Sequence, residues 1–269
     1  MAVSGPLARS IADLRLALLA MARPDPRDAW WAPVPLVGEE VSRRVALCVA
    51  PDAMPVDDSV VAALHDAADR LRDAGWDVEE VANTPPLAEA AQLQVKLWLG
   101  DGYDAQVALA AKEGDPGAIA ALKGQAALAG SLDLASLSAL LQRRATLLRQ
   151  WQAFFTRHPV VLMPVSGEPA FPDSLDLQDD AGYARVWRAQ MTQVGLPFMG
   201  LPGLTVTTGS IGSAVTPAST GRDRGASAAV SSVPIGVQLV AGRYREDLLL
   251  AAGEDIAARG APIVALDPV

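Results

Sequence analysis

The most constraining feature of this sequence is a strand, a helix and a second strand that follow one another within residues 43–81. The stretch RRVALCVA (43–50) is apolar and carries β-branched valines, as a buried strand does. The stretch DDSVVAALHDAADRLRDAG (57–75) repeats apolar residues at helical spacing, and WDVEEV (76–81) is typical of a strand. A unit this short requires two parallel strands joined by a right-handed crossover. The chain is therefore predicted to contain a parallel strand pair.

The rest of the chain is predicted to alternate between helical and extended stretches. Residues 84–158 are rich in Ala and Leu at helical spacing and predict an all-helical insertion. Further strands are predicted at 159–164, 203–209 and 233–242, with a closing helix at 245–260. Residues 210–232, rich in Ser, Gly, Thr and Ala, predict a flexible loop. These elements predict an α/β fold in a single domain, 1–269, that contains the insertion.

A well-specified helix is predicted at the very start of the chain. Ser10 is a suitable N-cap, and Asp13 completes a pair like that of a capping box. The helix should end near Ala22, since Pro24 cannot continue it. Its apolar face is expected to consist of Ile11, Leu14 and Leu18. No strand precedes this helix for its apolar face to cover, which raises the question of what belongs before Met1.

Composition and charge exclude several classes of function. The 269 residues carry a net charge of −9, and the basic residues are scattered, which argues against nucleic acid and against anionic membrane surfaces as partners. The sequence contains no apolar run of about 18 residues and no signal peptide, so we expect a cytoplasmic protein. The single cysteine, Cys48, lies in an apolar run and is expected to be buried. The sequence has no metal-ligand or phosphate-loop spacing, so no cofactor and no metal are expected.

A serine hydrolase site is the first catalytic hypothesis that the residues allow. Ser227 lies in RGASAA (224–229), close to the G-x-S-x-G pattern of a nucleophile elbow, and His158 is a candidate base. An elbow requires a strand just before the serine and a helix just after it. Ser227 instead lies within the segment predicted as a flexible loop, so a stand-alone hydrolase through Ser227 and His158 is the weakest of the alternatives.

Three segments resemble the amidase signature family. GPLARSIADLRLAL (5–18), followed by PDPRD (24–28), is similar to the segment just downstream of that family's Gly/Ser-rich signature. GLPFMGLPGLTVTTG (195–209) and the stretch containing PIGVQLV (234–240) look like its closing segments. The resemblance runs in order along essentially the whole chain. It implies a mixed sheet flanked by helices, as in the C-terminal part of the amidase signature fold.

The resemblance also implies a chemistry. Family members hydrolyse amides through a Ser–cis-Ser–Lys triad, with backbone amides that stabilise the oxyanion. In the family, these residues precede the segment that 5–18 resembles, and Lys96, Lys112 and Lys123 all lie in the predicted helical insertion. We therefore expect a truncated amidase chain that contains none of the catalytic residues and is inactive alone.

The residues that match the family motifs are expected only to support the fold or to line the substrate pocket. Arg9 is expected either to anchor a neighbouring segment or to pair with Asp13, and Ser10 to cap its helix. Residues 98–103 are expected to line a pocket. The full set of motif and pocket-wall candidates is Gly5, Pro6, Arg9, Ser10, Asp13, Pro164, Val165, Ser166, Gly236 and Gln238.

The sequence therefore leaves two main hypotheses. In the first, the chain is part of an amide hydrolase and takes a small-molecule amide when an N-terminal half complements it. In the second, it is a non-catalytic remnant, or a binding or scaffold partner of a split amidase. In either case a missing neighbour would leave a sheet edge exposed, through which a protein partner or a second copy would associate. Neither nucleic acid nor a membrane is an expected partner.

Overall fold

A five-stranded mixed sheet organises the part of the chain that the computed structural model describes, namely residues 4–100, 102–130, 133–213 and 231–260. Its spatial order is β2-β1-β3-β5-β4. The strands are β1 Arg44–Leu47, β2 Asp77–Glu80, β3 Val160–Pro164, β4 Gly203–Ser213 and β5 Ser231–Ala241.

The predicted parallel pair is confirmed. β1 pairs in parallel with β2, with Val45 opposite Val78, and in parallel with β3 on its other side, with Val45 opposite Val160. β5 runs antiparallel to both β3 and β4. The sheet is thus parallel on one side and antiparallel on the other, as the α/β fold with a mixed sheet predicts.

Ten α-helices surround this sheet in the described ranges. They are α1 Ile11–Met21, α2 Asp58–Asp73, α3 Ala88–Gly100, α4 Tyr103–Glu113, α5 Pro116–Ala129, α6 Leu134–Phe155, α7 Leu175–Gln178, α8 Asp180–Ala189, α9 Met191–Met199 and α10 Glu246–Ala258. Helices α3 to α6 occupy the stretch predicted to be helical, 84–158. The division of the chain into a domain and an insertion stays a prediction.

The two faces of the sheet carry separate hydrophobic cores. Side chains alternate along a strand, so Val160 and Leu162 of β3 face one core, while Val161 and Met163 face the other. The first core is covered by α1, α2 and α10, and the second by α3, α6 and α9. Each helix contributes its buried apolar side chains to one face, which is how the elements fold into layers.

Local capping explains two of the helix boundaries. Ser10 Oγ accepts from the Asp13 amide at 3.1 Å and donates to Asp13 Oδ2 at 2.7 Å, so the predicted pair at the start of α1 is confirmed. After α2, Gly75 has a φ of +85°, a conformation that favours glycine and ends the helix.

Strand pairing extends into both ends of the segment predicted as a loop, 210–232. Ser210 pairs with Pro234, and Ser213 pairs with Ser231, so β4 and β5 are longer than their sequence patterns indicate. The antiparallel ladder is formed by backbone groups, and a low-complexity composition does not reveal it. Residues 214–230 of the predicted loop lie outside the described residues.

No single helix in the described ranges combines the length and apolarity needed to cross a membrane, and α5 and α6 meet those criteria only when they are taken together across an 82° bend. No group of three or more His, Cys, Asp or Glu side chains in these ranges is arranged to hold a metal ion.

Candidate functional site

A groove of about 570 Å³ lies where the start of the chain, α1, the link from α9 to β4, and α10 meet. We call it the N-terminal groove. Its lining is mostly apolar, and Glu246, in the first turn of α10, is ionisable. The lining residues are Ser4, Gly5, Pro6, Leu14, Leu18, Met21, Ala22, Pro197, Gly200, Leu201, Pro202, Gly203, Leu204, Glu246, Leu249 and Leu250.

The far wall of the groove is held by the end of α9. Gly200 has a φ of +66°, which terminates the helix, and Pro202 precedes the first residue of β4. Arg144, from α6, donates through Nε to the carbonyl oxygen of Phe198 in the last turn of α9, where a cation is favoured. Burial, followed by the charge of Arg243, lowers the pKa of Arg144. The contact from Arg144 therefore holds the link at its α9 end.

Two of the predicted residues, Gly5 and Pro6, line this groove. A third, Gln238, lies close to it. On β5, Gln238 pairs with Met163 of β3 on one side and with Thr205 of β4 on the other. A Cβ atom added to Gly203 would lie 3.2 Å from Gln238 Nε2. Gln238 Oε1 is buried and has no hydrogen-bond partner among the described residues.

Pro164, the last residue of β3, and the loop that follows it, with Val165 and Ser166, do not contribute to the groove. The Val165 carbonyl accepts from Thr192 Oγ1 at 2.7 Å, and Ser166 Oγ accepts from the Glu168 amide at 3.2 Å. Just beyond, Glu168 forms a two-pronged ion pair with Arg185. These bonds tie the loop to α8 and α9 as a structural turn.

The remaining family-motif residues do not line the groove. Ser10 and Asp13 bond to each other at the start of α1, and the ion pairs of the described residues do not include one between Arg9 and Asp13. Arg9 is exposed. Gly236 lies opposite Thr207, and a Cβ there would lie 2.7 Å from the Val206 carbonyl oxygen. This glycine allows β4 and β5 to approach each other.

A second cavity of about 390 Å³ lies at the end of α3 and the start of α4. Leu99, Gly100, Gly102 and Tyr103 line it, so part of the stretch 98–103 borders a cavity, and its role in a substrate pocket stays a prediction. The walls formed by the α9–β4 link and by α10 are not among the predicted pocket residues. The signal available for the link was its Pro and Gly spacing, at Pro197, Gly200, Pro202 and Gly203.

No serine among the described residues forms a hydrogen bond with a lysine or a histidine. Within them, Lys96, Lys112 and Lys123 take part in no hydrogen bond or ion pair, so no lysine contacts a serine. His158 is buried, and its Nε2 lies 2.9 Å from Glu79 Oε2, while Ser227 lies outside the described residues. Burial raises the pKa of the Cys48 thiol to about 11, so this thiol is not a nucleophile at neutral pH.

Comparisons with known proteins agree with the fold and add a family. A family model described as amidase matches residues 1–250. The indoleacetamide hydrolase of Bradyrhizobium diazoefficiens is 37% identical over 262 residues, which are 95% of this chain and 46% of that protein. That of Bradyrhizobium japonicum is 36% identical over 265 residues, 96% of this chain and 52% of that protein.

A solved structure shows a similar extent of match. A structure of fatty acid amide hydrolase superposes with a TM-score of 0.67 at 23% identity, covering 94% of this chain and 47% of that one. The chain thus spans about half the length of the curated relatives that it matches. At this identity, the structural match is evidence for the fold alone.

Proposed function

This chain belongs to the amidase family, and from that premise we propose that it is part of an enzyme that hydrolyses the C–N bond of a carboxylic amide. The observation that carries the proposal is the identity of 37% along 95% of the chain with a protein named indoleacetamide hydrolase. The substrate class that follows is an arylacetamide, an apolar ring joined to a primary amide through a short arm.

The N-terminal groove supports this substrate class. Its volume of about 570 Å³ falls within the range of roughly 300–1,000 Å³ that small-molecule sites occupy. Leucine, proline and methionine side chains from α1, the α9–β4 link and α10 form its walls, and an aromatic ring would bury its surface against them. In this proposal, the chain supplies the wall that receives the apolar part of the amide.

The nucleophile, in this proposal, comes from outside the described residues. Acyl transfer needs a serine or an equivalent group activated by a base. The described lysines contact no serine, and the Nε2 atom of His158 faces Glu79. We therefore propose that the chain, produced as this sequence alone, does not turn over amides, and that complementation restores hydrolysis.

The test is ammonia release from indole-3-acetamide. The chain is produced alone and together with the portion of the Bradyrhizobium diazoefficiens enzyme that it does not match. We expect turnover only from the co-produced pair. Turnover by the chain alone would contradict the need for complementation, and a folded pair that leaves indole-3-acetamide and other primary amides intact would contradict the proposal of hydrolysis.

A pair of variants tests the groove separately. Leu204→Trp places an indole in the groove and is expected to raise KM at least about tenfold with kcat little changed. Leu177→Trp, at an exposed position of α7, is the matched control and should leave KM unchanged. If Leu204→Trp leaves KM unchanged, the groove does not hold the substrate.

The second candidate is a non-catalytic partner that binds amides within a split amidase. The absence of a lysine–serine contact within the described ranges favours it as much as it favours complementation. Calorimetric binding of indole-3-acetamide to the chain, without turnover by the co-produced pair, would support this role. The hydrolase through Ser227 and His158 would require Ser227→Ala to abolish turnover, and we expect this variant to leave turnover by the pair unchanged.

A further inference from the structure

Glu246 is the one ionisable side chain among the described residues that line the N-terminal groove. It precedes Leu249 and Leu250 at the spacing i, i+3, i+4, so the three side chains share one face of α10. Leu249 and Leu250 are buried in the first core, and their packing fixes the direction of that face. The position of Glu246 at the groove is therefore set by contacts inside the chain.

The arginines that are near Glu246 in sequence contact other groups. Arg245 forms a two-pronged ion pair with Asp247, from Nε to Oδ1 at 2.9 Å and from Nη2 to Oδ2 at 3.0 Å. Arg243 lies over the ring of Tyr244, 5.1 Å from its centroid, and donates to the Tyr244 hydroxyl at 3.2 Å. Within the described ranges, the Glu246 carboxylate takes part in no ion pair or hydrogen bond. This part of the chain therefore supplies no donor to it.

The composition of the groove indicates the chemistry of a ligand that would pair with Glu246. Glu246 is half-buried, and an ionised carboxylate can only accept hydrogen bonds. Of the groove-lining side chains in the described ranges, Ser4 alone carries a donor, and its hydroxyl forms no hydrogen bond there. Small-molecule sites combine apolar walls with a few polar groups that fix the orientation of the ligand. The groove therefore matches an apolar ring that carries one donor on its edge.

The orientation of the substrate assigns this donor to the ring and not to the amide. The amide must meet a nucleophile that, in the proposed function, comes from outside the described residues. Glu246 belongs instead to the wall that receives the apolar part of the substrate. An indole ring has an N–H group in the plane of its five-membered ring, whereas phenyl and naphthyl rings have no such donor. An indole-like ring therefore meets both requirements of the groove.

We propose that Glu246 is a specificity-determining residue that accepts a hydrogen bond from the ring N–H of the arylacetamide. The groove then favours indole-like rings over rings of similar size that lack this donor. The inference rests on the proposed function, because it names the kind of ring within that substrate class. A hydrogen bond to a carboxylate is roughly twice as strong as one between neutral groups. A ring without the N–H would leave the acceptor unpaired, and such a site discriminates against it.

The experiment compares indole-3-acetamide with benzofuran-3-acetamide, which has the same shape and an oxygen atom in place of the N–H group. Binding to the full chain is measured by calorimetry, and KM is measured for the co-produced pair. We expect indole-3-acetamide to have the lower Kd and the lower KM by at least about tenfold, because one hydrogen bond to a carboxylate accounts for about one decade. The measurement on the pair also reports on any donor to Glu246 that the complementing portion supplies.

Matched variants assign the preference to one side chain. Glu246→Leu should bring the affinities for the two amides together, and Glu246→Gln, which keeps an oxygen acceptor, should retain part of the difference. Glu113→Leu, at an exposed position of α4 outside both cavities, should leave the preference unchanged. Circular dichroism checks that each variant is folded, and the comparison of the two amides on the unmodified chain does not depend on any substitution.

Three outcomes would overturn the proposal. The first is equal affinity for the two amides, or no measurable affinity for either, in both the chain and the pair. The second is a preference that persists in Glu246→Leu. The third is tighter binding of 2-phenylethylammonium, which has a cation and no ring N–H, since this would assign Glu246 to a cationic ligand.

Failure of this inference can be told apart from failure of the proposed function. A binding preference without turnover of either amide by the pair would contradict hydrolysis and support the role of Glu246. Turnover of both amides with the same KM would support hydrolysis and contradict the role of Glu246.

Discussion

His158 Nε2 lies 2.9 Å from Glu79 Oε2, and this contact joins the junction between α6 and β3 to the edge strand β2. Arg44 Nη2, on β1, lies 3.2 Å from the same carboxylate oxygen. A single glutamate on an edge strand thus connects two neighbouring strands and the end of the longest helix in the described ranges. Since β2 is only four residues long, this side-chain link supplements a short ladder.

Glu79 should make the stability of the fold depend on pH in the acid range. The hydrogen bond from His158, followed by the charges of His158 and Arg44, lowers the pKa of Glu79. A carboxylate whose pKa is lower in the folded state stabilises that state above the unfolded pKa, and this contribution is lost as the pH falls through the folded pKa. We expect Glu79→Gln to lower the unfolding midpoint at pH 6 and to match the unmodified chain well below pH 4. A constant difference across that range would contradict this account.

Gly236 is expected to be required for stability because there is no room for a side chain at this position. An alanine Cβ would lie 2.7 Å from the Val206 carbonyl oxygen, and the backbone cannot yield without disturbing the β4–β5 ladder. We expect Gly236→Ala to cost roughly 1–3 kcal/mol of the free energy of unfolding, measured by urea titration. Gly209→Ala in the same hairpin is the control, because nothing lies within 4 Å of its added Cβ. Equal losses in both variants would show that strand glycines matter here for another reason.

The elements that local patterns specify were predictable, and those that depend on distant contacts were not. The unit at 43–81 and the cap at Ser10 follow from spacing over a few residues, and both are confirmed. Helix α9 contains Gly195 and Pro197, which disfavour helix, and burial of its apolar residues against α3 overrides that preference. The N-terminal groove combines segments about 200 residues apart, so its membership could not be derived from sequence spacing.

Asp52 should stabilise the start of α3. Its Oδ2 accepts from the amides of Leu87 and Ala88, both at 2.7 Å, although its own backbone is in the left-handed region with a φ of +52°. Asp and Asn adopt this region more readily than most residues, and both offer a side-chain oxygen as acceptor. We expect Asp52→Ala to cost about 1–2 kcal/mol in thermal or urea unfolding and Asp52→Asn to cost clearly less. Equal costs for the two variants would show that the charge of the Asp52 carboxylate, and not its role as a hydrogen-bond acceptor, stabilises the start of α3.

Asp247 should hold the segment before β1 against α10. Its Oδ2 accepts from the Gly38 amide at 3.1 Å, and Arg245, which pairs with Asp247, also donates to the Glu39 carbonyl at 3.0 Å. Burial raises the pKa of Asp247, but the hydrogen bonds from Arg245 and Gly38 outweigh burial and the pKa is lowered. Its stabilising contribution is therefore present above the unfolded pKa and lost as the pH falls through the folded one.

We therefore expect Asp247→Asn to speed limited proteolysis within residues 32–43 at pH 7. It should also lower the unfolding midpoint at pH 7 but not in strong acid. Asp73, at the end of α2, is exposed, and its side chain makes no hydrogen bond or ion pair among the described residues, so Asp73→Asn is the control and should change neither property. Unaltered proteolysis in Asp247→Asn would show that the segment is held by other contacts.

Gln94 is the position where a substitution should raise stability. Its side chain is fully buried on α3 beside the second core, and neither its Nε2 nor its Oε1 has a partner among the described residues. An unpaired buried amide loses its hydration without compensation, at a cost of roughly 1–3 kcal/mol. Gln94→Met keeps the volume and removes the polar atoms, so we expect urea unfolding to show a gain of about 1 kcal/mol or more. Gln142→Met, at an exposed position of α6, should change little. A loss of stability in Gln94→Met would show that a water molecule or another group satisfies this amide in solution.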